Sequence, residues 1–137
     1  MKVFIDTSAW ISYYLPKEVG HTVIDKEVNR LVKEGHYLFT SNDIIDEAVT
    51  RLVRHHHLPG VEKFIDYLEK AIRERFLVQL WIDEEVQRDA FRLVEKFYEH
   101  RLSLTDATSM ALMKRFKIDA ILTLDEDFRK VGAKVLP

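Results

Sequence analysis

Five short apolar runs, separated by longer stretches of helical period, constrain this chain more than any other feature. Lys2–Ile5, His36–Thr40, Leu77–Ile82 and Asp119–Thr123 are rich in β-branched or aromatic residues, and each is followed by polar or charged ones. Lys134–Leu136 is a weaker fifth. Runs of this length and composition predict buried strands. Between them the apolar residues recur at three and four. Val23, Val28, Leu31 and Val32 form one stripe, and Ile44, Ile45, Ala48, Val49, Leu52 and Val53 a second. Val61, Phe64, Ile65, Leu68 and Ile72 form a third, and Val86, Ala90, Leu93, Val94 and Phe97 a fourth. Strands alternating with helices require crossover connections, which are right-handed and cover both faces of a parallel sheet. The expected fold is therefore α/β: a single-domain parallel β-sheet flanked by helices on both faces.

Helix starts are marked by capping residues. Ser41 and Asn42 precede the second stripe, Asp83 precedes Glu84-Glu85, and Ser103 stands three residues before Asp106. Two helical segments lie between the second and third strands, with the break expected at Pro59-Gly60. At 137 residues the chain suits one domain over residues 1–137.

The absence of cysteine removes disulfide scaffolds, thiolate nucleophiles and Cys-zinc sites from consideration. No apolar run approaches the ~20 residues of a membrane span. Asp6 falls where a secretory leader would still be apolar, so a cytoplasmic protein is expected. The glycines stand alone, so neither GxGxxG nor a GxxxxGK[ST] loop occurs, and no G-x-S-x-G elbow is present. A net charge of −2 counts against a nucleic-acid binder, unless a local basic patch or a metal ion offsets it.

Four carboxylates are individually ordinary. Asp6, after the first strand, suits a helix cap or turn; Glu47 suits a surface pair with Arg51; Asp106 suits the third position of a capping box; Asp125 suits a cap. Their joint placement is less ordinary. Asp6 and Asp125 lie just beyond predicted strand ends, Glu47 lies within the helix after another strand, and Asp106 opens the helix that feeds the fourth. In an open α/β sheet, ligands bind outside the carboxyl ends of the strands, near a switch point. Clustered carboxylates repel unless a cation neutralises them, and oxygen donors suit Mg²⁺ or Mn²⁺. A divalent ion so held can activate water against a phosphodiester.

Val3-Phe4-Ile5-Asp6-Thr7-Ser8-Ala9-Trp10, the Glu47 helix, Leu104-Thr105-Asp106-Ala107 and Leu122-Thr123-Leu124-Asp125-Glu126-Asp127-Phe128 together resemble the successive motifs of PIN-domain ribonucleases, with VapC-type toxins matching in size and layout. The resemblance spans essentially the whole chain. It implies Mg²⁺- or Mn²⁺-dependent endoribonuclease activity, an acidic quartet of Asp6, Glu47, Asp106 and Asp125, and a homodimer. For toxin members it also implies a small inhibitory antitoxin. Ser8 and Thr123 match hydroxyl positions that orient a carboxylate or water, and Asp127 matches an optional additional acid. The Glu47 motif is the least specific, since helical glutamates are common.

Other readings remain open at this level. An RNA-processing nuclease without an antitoxin would carry the same acids, and a non-catalytic RNA- or partner-binding module would share the fold. A phospho-receiver would have to use Asp83 and lacks an acidic pair after the first strand. An aspartyl phosphatase would want Asp-x-Asp where Asp6-Thr7-Ser8 stands. His55-His56-His57 is expected to end a helix rather than bind metal, because consecutive helical residues point about 100° apart. Arg51 and Arg54 are equally readable as phosphate contacts or solvated charges. Lys114, Arg115 and Lys117 suit a helix C-terminus, and Trp10 and Tyr13 suit helix packing.

Overall fold

The computed structural model describes residues Met1–Pro137. Five parallel strands, β1 (Lys2–Ile5), β2 (Tyr37–Ser41), β3 (Leu77–Leu80), β4 (Ala120–Leu122) and β5 (Val135–Leu136), form one sheet in the order β3-β2-β1-β4-β5. Seven α-helices connect them: α1 (Thr7–Tyr14), α2 (His21–Lys33), α3 (Asn42–Arg54), α4 (Leu58–Arg73), α5 (Glu84–Lys96), α6 (Leu104–Arg115) and the short α7 (Asp127–Lys130). The expected α/β architecture is the observed one.

The topology follows from crossover handedness. From β1 the chain steps through β2 to β3 in one direction across the sheet, then returns past β1 to β4 and β5 in the other. Right-handed crossovers in opposite directions place their helices on opposite faces. Accordingly α1 to α4 pack among themselves, and α5 packs on α6. The direction reverses between β1 and β4, which pair in register from Val3↔Ala120 to Ile5↔Leu122. That boundary is the sheet's switch point.

Val3, Phe4 and Ile5 of β1 and Ala120, Ile121 and Leu122 of β4 are all buried, as central strands covered on both faces require. The edge strand β3 is only partly covered, with Leu77 and Leu80 buried, Gln79 half-buried and Val78 exposed. Ile44, Ala48 and Leu52 give α3 its core face, and Phe64, Leu68 and Ala71 give α4 its own. Trp10 of α1 is buried in the seam between them, against Tyr14, Phe64 and Tyr67, and donates through Nε1 to Thr40 Oγ1 at 3.3 Å. It is a packing residue, as expected.

Two details differ from the sequence reading. The break between α3 and α4 falls at His55-His56-His57, with His56 at φ 51°, while Pro59 and Gly60 lie inside the first turn of α4. Proline is tolerated there because its missing N–H has no partner in a first turn. Gly60 is required by proximity: a Cβ on it would overlap the His57 ring and come within 3.3 Å of the Tyr14 carbonyl oxygen. The buried stripe of α2 is also rotated, since Ile24 and Leu31 are fully buried while Val23 and Val32 are largely exposed.

The three predicted caps are formed. Ser41 Oγ accepts from the Ile44 amide at 3.2 Å, Asp83 Oδ1 from Val86 at 2.9 Å, and Ser103 Oγ from Asp106 at 3.1 Å. Arg115 sits near Asp83, Glu85 and Asp89 at 3.2 to 3.8 Å, so this member of the basic cluster clamps α6 to α5. No helix is long and apolar enough to cross a membrane.

Candidate active site

The end of β1 delivers Asp6 to the switch point. Its amide donates to the Leu122 carbonyl at 3.1 Å, extending the β1–β4 ladder by one rung, and its carbonyl accepts from Ala9 and Trp10 as α1 begins. Asp6 occupies the N-cap position of α1, yet its side chain makes no capping bond. The carboxylate instead accepts from Thr123 Oγ1 at 2.7 Å, across the boundary between the two strands. A cap is thus the wrong account of this aspartate. Only 6% of its surface is exposed.

The hydroxyls around Asp6 form a directed chain. Thr123 has one hydrogen and gives it to Asp6 Oδ2. Its oxygen accepts from the Asp125 amide at 3.0 Å, and Ser8 Oγ lies 3.0 Å away. Since the Thr123 hydrogen is committed, Ser8 has its own hydrogen to give, to Thr123 Oγ1 or to Asp6 Oδ2 at 3.4 Å, and Ser8 Oγ in turn accepts from Leu124 N at 2.9 Å. Ser8 and Thr123 therefore staple the loop after β4 to the start of α1 and hold one Asp6 oxygen in place. Thr7 Oγ1, on the residue following Asp6, is a buried side-chain oxygen without a hydrogen-bond partner.

Thr123→Val keeps the shape of this residue and removes its hydroxyl, leaving Asp6 Oδ2 and the Asp125 amide short of a partner. The expected result is a loss of about 1–3 kcal/mol in denaturant-measured stability. A variant as stable as the wild type would show that the staple contributes nothing.

Glu47 and Asp106 come from helices on opposite faces. Asn42 Oδ1 accepts from Ile82 N at 2.8 Å, fixing the start of α3 to the chain beyond β3. The Thr108 hydroxyl, which donates to the Thr105 carbonyl at 2.7 Å, lies 3.3 Å from Asp43 Oδ2, where α6 meets α3. Neither contact was signalled locally, because the partners are 40 and 65 residues apart. Glu47 is 34% exposed at its side chain and has Arg51 at 3.4 Å, so the expected surface pair is present as well.

The electrostatics join the four acids. Burial pushes the Asp6 carboxyl above its usual range, against the Thr123 and Thr7 hydrogen bonds, and the charges of Glu47 and Asp125 push it the same way. Asp106 is pushed up to about 6, first by burial and then by Asp6 and Asp125, with hydrogen bonds from the Ser103 hydroxyl and backbone amide to its carboxylate opposing. No cation and no histidine is among the charges acting on either group. Asp127 stands apart: its carboxylate is held by Lys130 at 2.9 Å, and its amide donates to Asp125 Oδ1 at 2.9 Å. It shapes the Asp125 turn and is not drawn into the cluster.

Like charges sharing a partly buried site hold one another apart. The cluster is correspondingly loose, and no three of its groups stand close enough to grip one ion together. In charge and donor chemistry the residues nonetheless fit a hard divalent cation. They offer only carboxylate oxygens, and their negative charge is offset by protein cations only at the rim, where Arg51 meets Glu47 and Lys130 lies near Asp125.

A raised carboxyl has a definite effect on stability. Between about pH 4 and the value of about 6, folded Asp106 binds more protons than unfolded Asp106, so stability falls as pH rises through that window. In chelator, melting temperature should therefore drop more steeply from pH 4 to 7 for the wild type than for Asp106→Asn. Parallel profiles would show that Asp106 carries no such penalty.

Comparison with known proteins gives the family. The PIN domain family model matches residues 3–134, and the chain belongs to that family. It is similar to Ribonuclease VapC6 of Methanocaldococcus jannaschii, with 22% identity over 94% of this chain and 92% of that protein. Among solved structures it resembles Mycobacterium tuberculosis VapC20, described as a Sarcin-Ricin loop cleaving toxin, with a TM-score of 0.80 and 25% identity over 98% of this chain and 99% of that one. The VapBC2 complex of Rickettsia felis, solved with a promoter DNA fragment, has a chain of the same fold, with a TM-score of 0.70 and 12% identity over 100% and 98% of the two chains.

Proposed function

We propose that this protein is a metal-dependent endoribonuclease, the toxin of a toxin–antitoxin pair, working in the cytoplasm. Asp6, Glu47, Asp106 and Asp125 would hold Mg²⁺ or Mn²⁺. The observation that carries this reading is the gathering of four carboxylates at the switch point with no protein cation among the charges acting on Asp6 or Asp106. Membership of the PIN family and the likeness to a VapC ribonuclease and to VapC toxins support it. A bound divalent ion supplies Lewis acidity towards water and towards phosphodiester oxygens. The chain's own part is positional. Thr123 and Ser8 hold one Asp6 oxygen, leaving Oδ1 free of the staple, and the Ser103 cap sets the backbone of Asp106.

The same reading includes a homodimer and a small antitoxin that covers the cleft. A basic side chain inserted among the acids would pair strongly with them once water is excluded. The deciding experiment is incubation of mixed RNA with the purified protein in Mg²⁺, in Mn²⁺ and in EDTA. Cleavage confined to the first two conditions is expected. RNA left intact in all three would overturn the proposal.

A further inference from the structure

One face of α3 is wholly polar and takes no part in the core. Asp43, Asp46, Glu47, Thr50, Arg51 and Arg54 recur at intervals of three and four, and with Thr105 of α6 they line an open groove of about 420 Å³ without a single hydrophobic side chain. Towards the start of the helix are three carboxylates, Asp43, Asp46 and Glu47, and the charge of Glu47 is felt by Asp6. At the other end is the last turn of the helix, which carries both arginines. The groove thus runs from acidic side chains, Glu47 among them, towards positive charge.

Five of the ten arginines of this protein are already occupied. Arg30, Arg88, Arg92, Arg115 and Arg129 each pair with nearby carboxylates. Arg54 pairs with none, and Arg51 has only the 3.4 Å contact with Glu47, with 53% of its side chain exposed. An exposed pair of that kind contributes little and is easily exchanged. A phosphate offers a guanidinium two parallel charge-assisted hydrogen bonds, a better arrangement. Along the helix axis Arg51 lies about 6 Å and Arg54 about 10 Å beyond Glu47. Two long side chains at that spacing can reach successive phosphates of an extended single strand.

We infer that this groove carries the RNA backbone on one side of the cleaved bond, with Arg51 and Arg54 each holding a phosphate. The inference rests on the nuclease reading above. It is compatible with a chain of net charge −2, because Arg54 and the weakly paired Arg51 lie together at the end of the groove away from Asp43 and Asp46, a local excess of positive charge that the total conceals. The groove has no aromatic side chain on which a base could stack, so it contributes affinity without reading sequence.

The test uses two single-stranded RNAs of different sequence that the wild type cleaves in Mg²⁺ or Mn²⁺, with KM and kcat measured across a range of salt concentrations. Arg51→Gln and Arg54→Gln should each raise KM by roughly five- to tenfold, equally for both RNAs, with kcat nearly unchanged. Each should also flatten the dependence of log(kcat/KM) on log salt by about 0.7. Arg73→Gln removes an exposed, unpaired arginine that lines a different groove, and it should change neither quantity. Wild-type KM and salt dependence in both groove variants would overturn the inference while leaving the nuclease reading intact. A loss of kcat at unchanged KM would also overturn it. If the wild type cleaves no RNA at all, both readings fall together.

Discussion

Asp6→Asn, Asp106→Asn and Asp125→Asn should each lower RNA turnover by at least about 10²-fold while leaving the fold intact, because the amide keeps the shape of the carboxylate and removes the charge that would hold a divalent ion. The geometry makes the three changes unequal in other respects. Asn at position 6 can still accept the Thr123 hydrogen through its amide oxygen, so the staple across β1 and β4 survives. Asn at position 106 keeps the Ser103 cap, which uses the backbone amide. Both substitutions relieve a buried, mutually repelling charge, so in chelator Asp6→Asn and Asp106→Asn should be at least as stable as the wild type. Activity lost together with stability would indicate a structural defect instead. Near-normal turnover in any two of the three well-folded variants would sink the assignment of the quartet.

The second large effect concerns the products. Ribonucleases that use the ribose 2′-hydroxyl as nucleophile need a general acid and base, commonly a pair of histidines, and leave a cyclic phosphate. This protein has no such pair at its site. His21 Nδ1 is engaged with the Ser12 carbonyl at 2.7 Å, and His36 lies between the chain's amino terminus and Glu34. His55, His56 and His57 form the turn between α3 and α4, and His100 packs on Phe97. With water as the nucleophile in an in-line displacement, the expected ends are a 5′-phosphate and a 3′-hydroxyl. A substrate with one deoxynucleotide at the scissile position should still be cut, more slowly if the 2′-hydroxyl aids recognition. EDTA should abolish cleavage. Products ending in 2′,3′-cyclic phosphate, or cleavage undiminished by EDTA, would contradict the mechanism even with RNA as the substrate.

Some local assignments failed for reasons that repay attention. Pro59-Gly60 reads as punctuation, yet proline in a first turn lacks nothing the helix needs, and the glycine answers to the nearby Tyr14 carbonyl oxygen, which sequence spacing does not reveal. The stripe chosen for α2 took in Val23 and Val32 because valine is apolar; which flank of a helix faces the core depends on its neighbours. Asp127, the optional further acid in Asp125-Glu126-Asp127, has a lysine partner one turn later in α7 that sequence spacing alone did not single out. α1 offers little periodic signal, since Thr7, Ala9, Trp10, Ile11 and Ser12 are all buried between its neighbours.

The strand order of events along the chain, the capping residues and the positions of four acids near strand ends and helix starts were legible in the linear sequence, because they depend on contacts within a few residues and on apolar period. Ser41, Asp83 and Ser103 each cap a helix whose first turn lies beside them. The site itself depends on long-range placement. Asp6 meets Thr123 only because β1 and β4 pair across 117 residues, and Asp106 feels Asp6 only because a helix on the far face begins beside the same strand termini. Burial then gives these acids their shifted protonation and removes Asp6 from the role of cap. Solvent exclusion and the distance between charges set those properties, and both arise from packing.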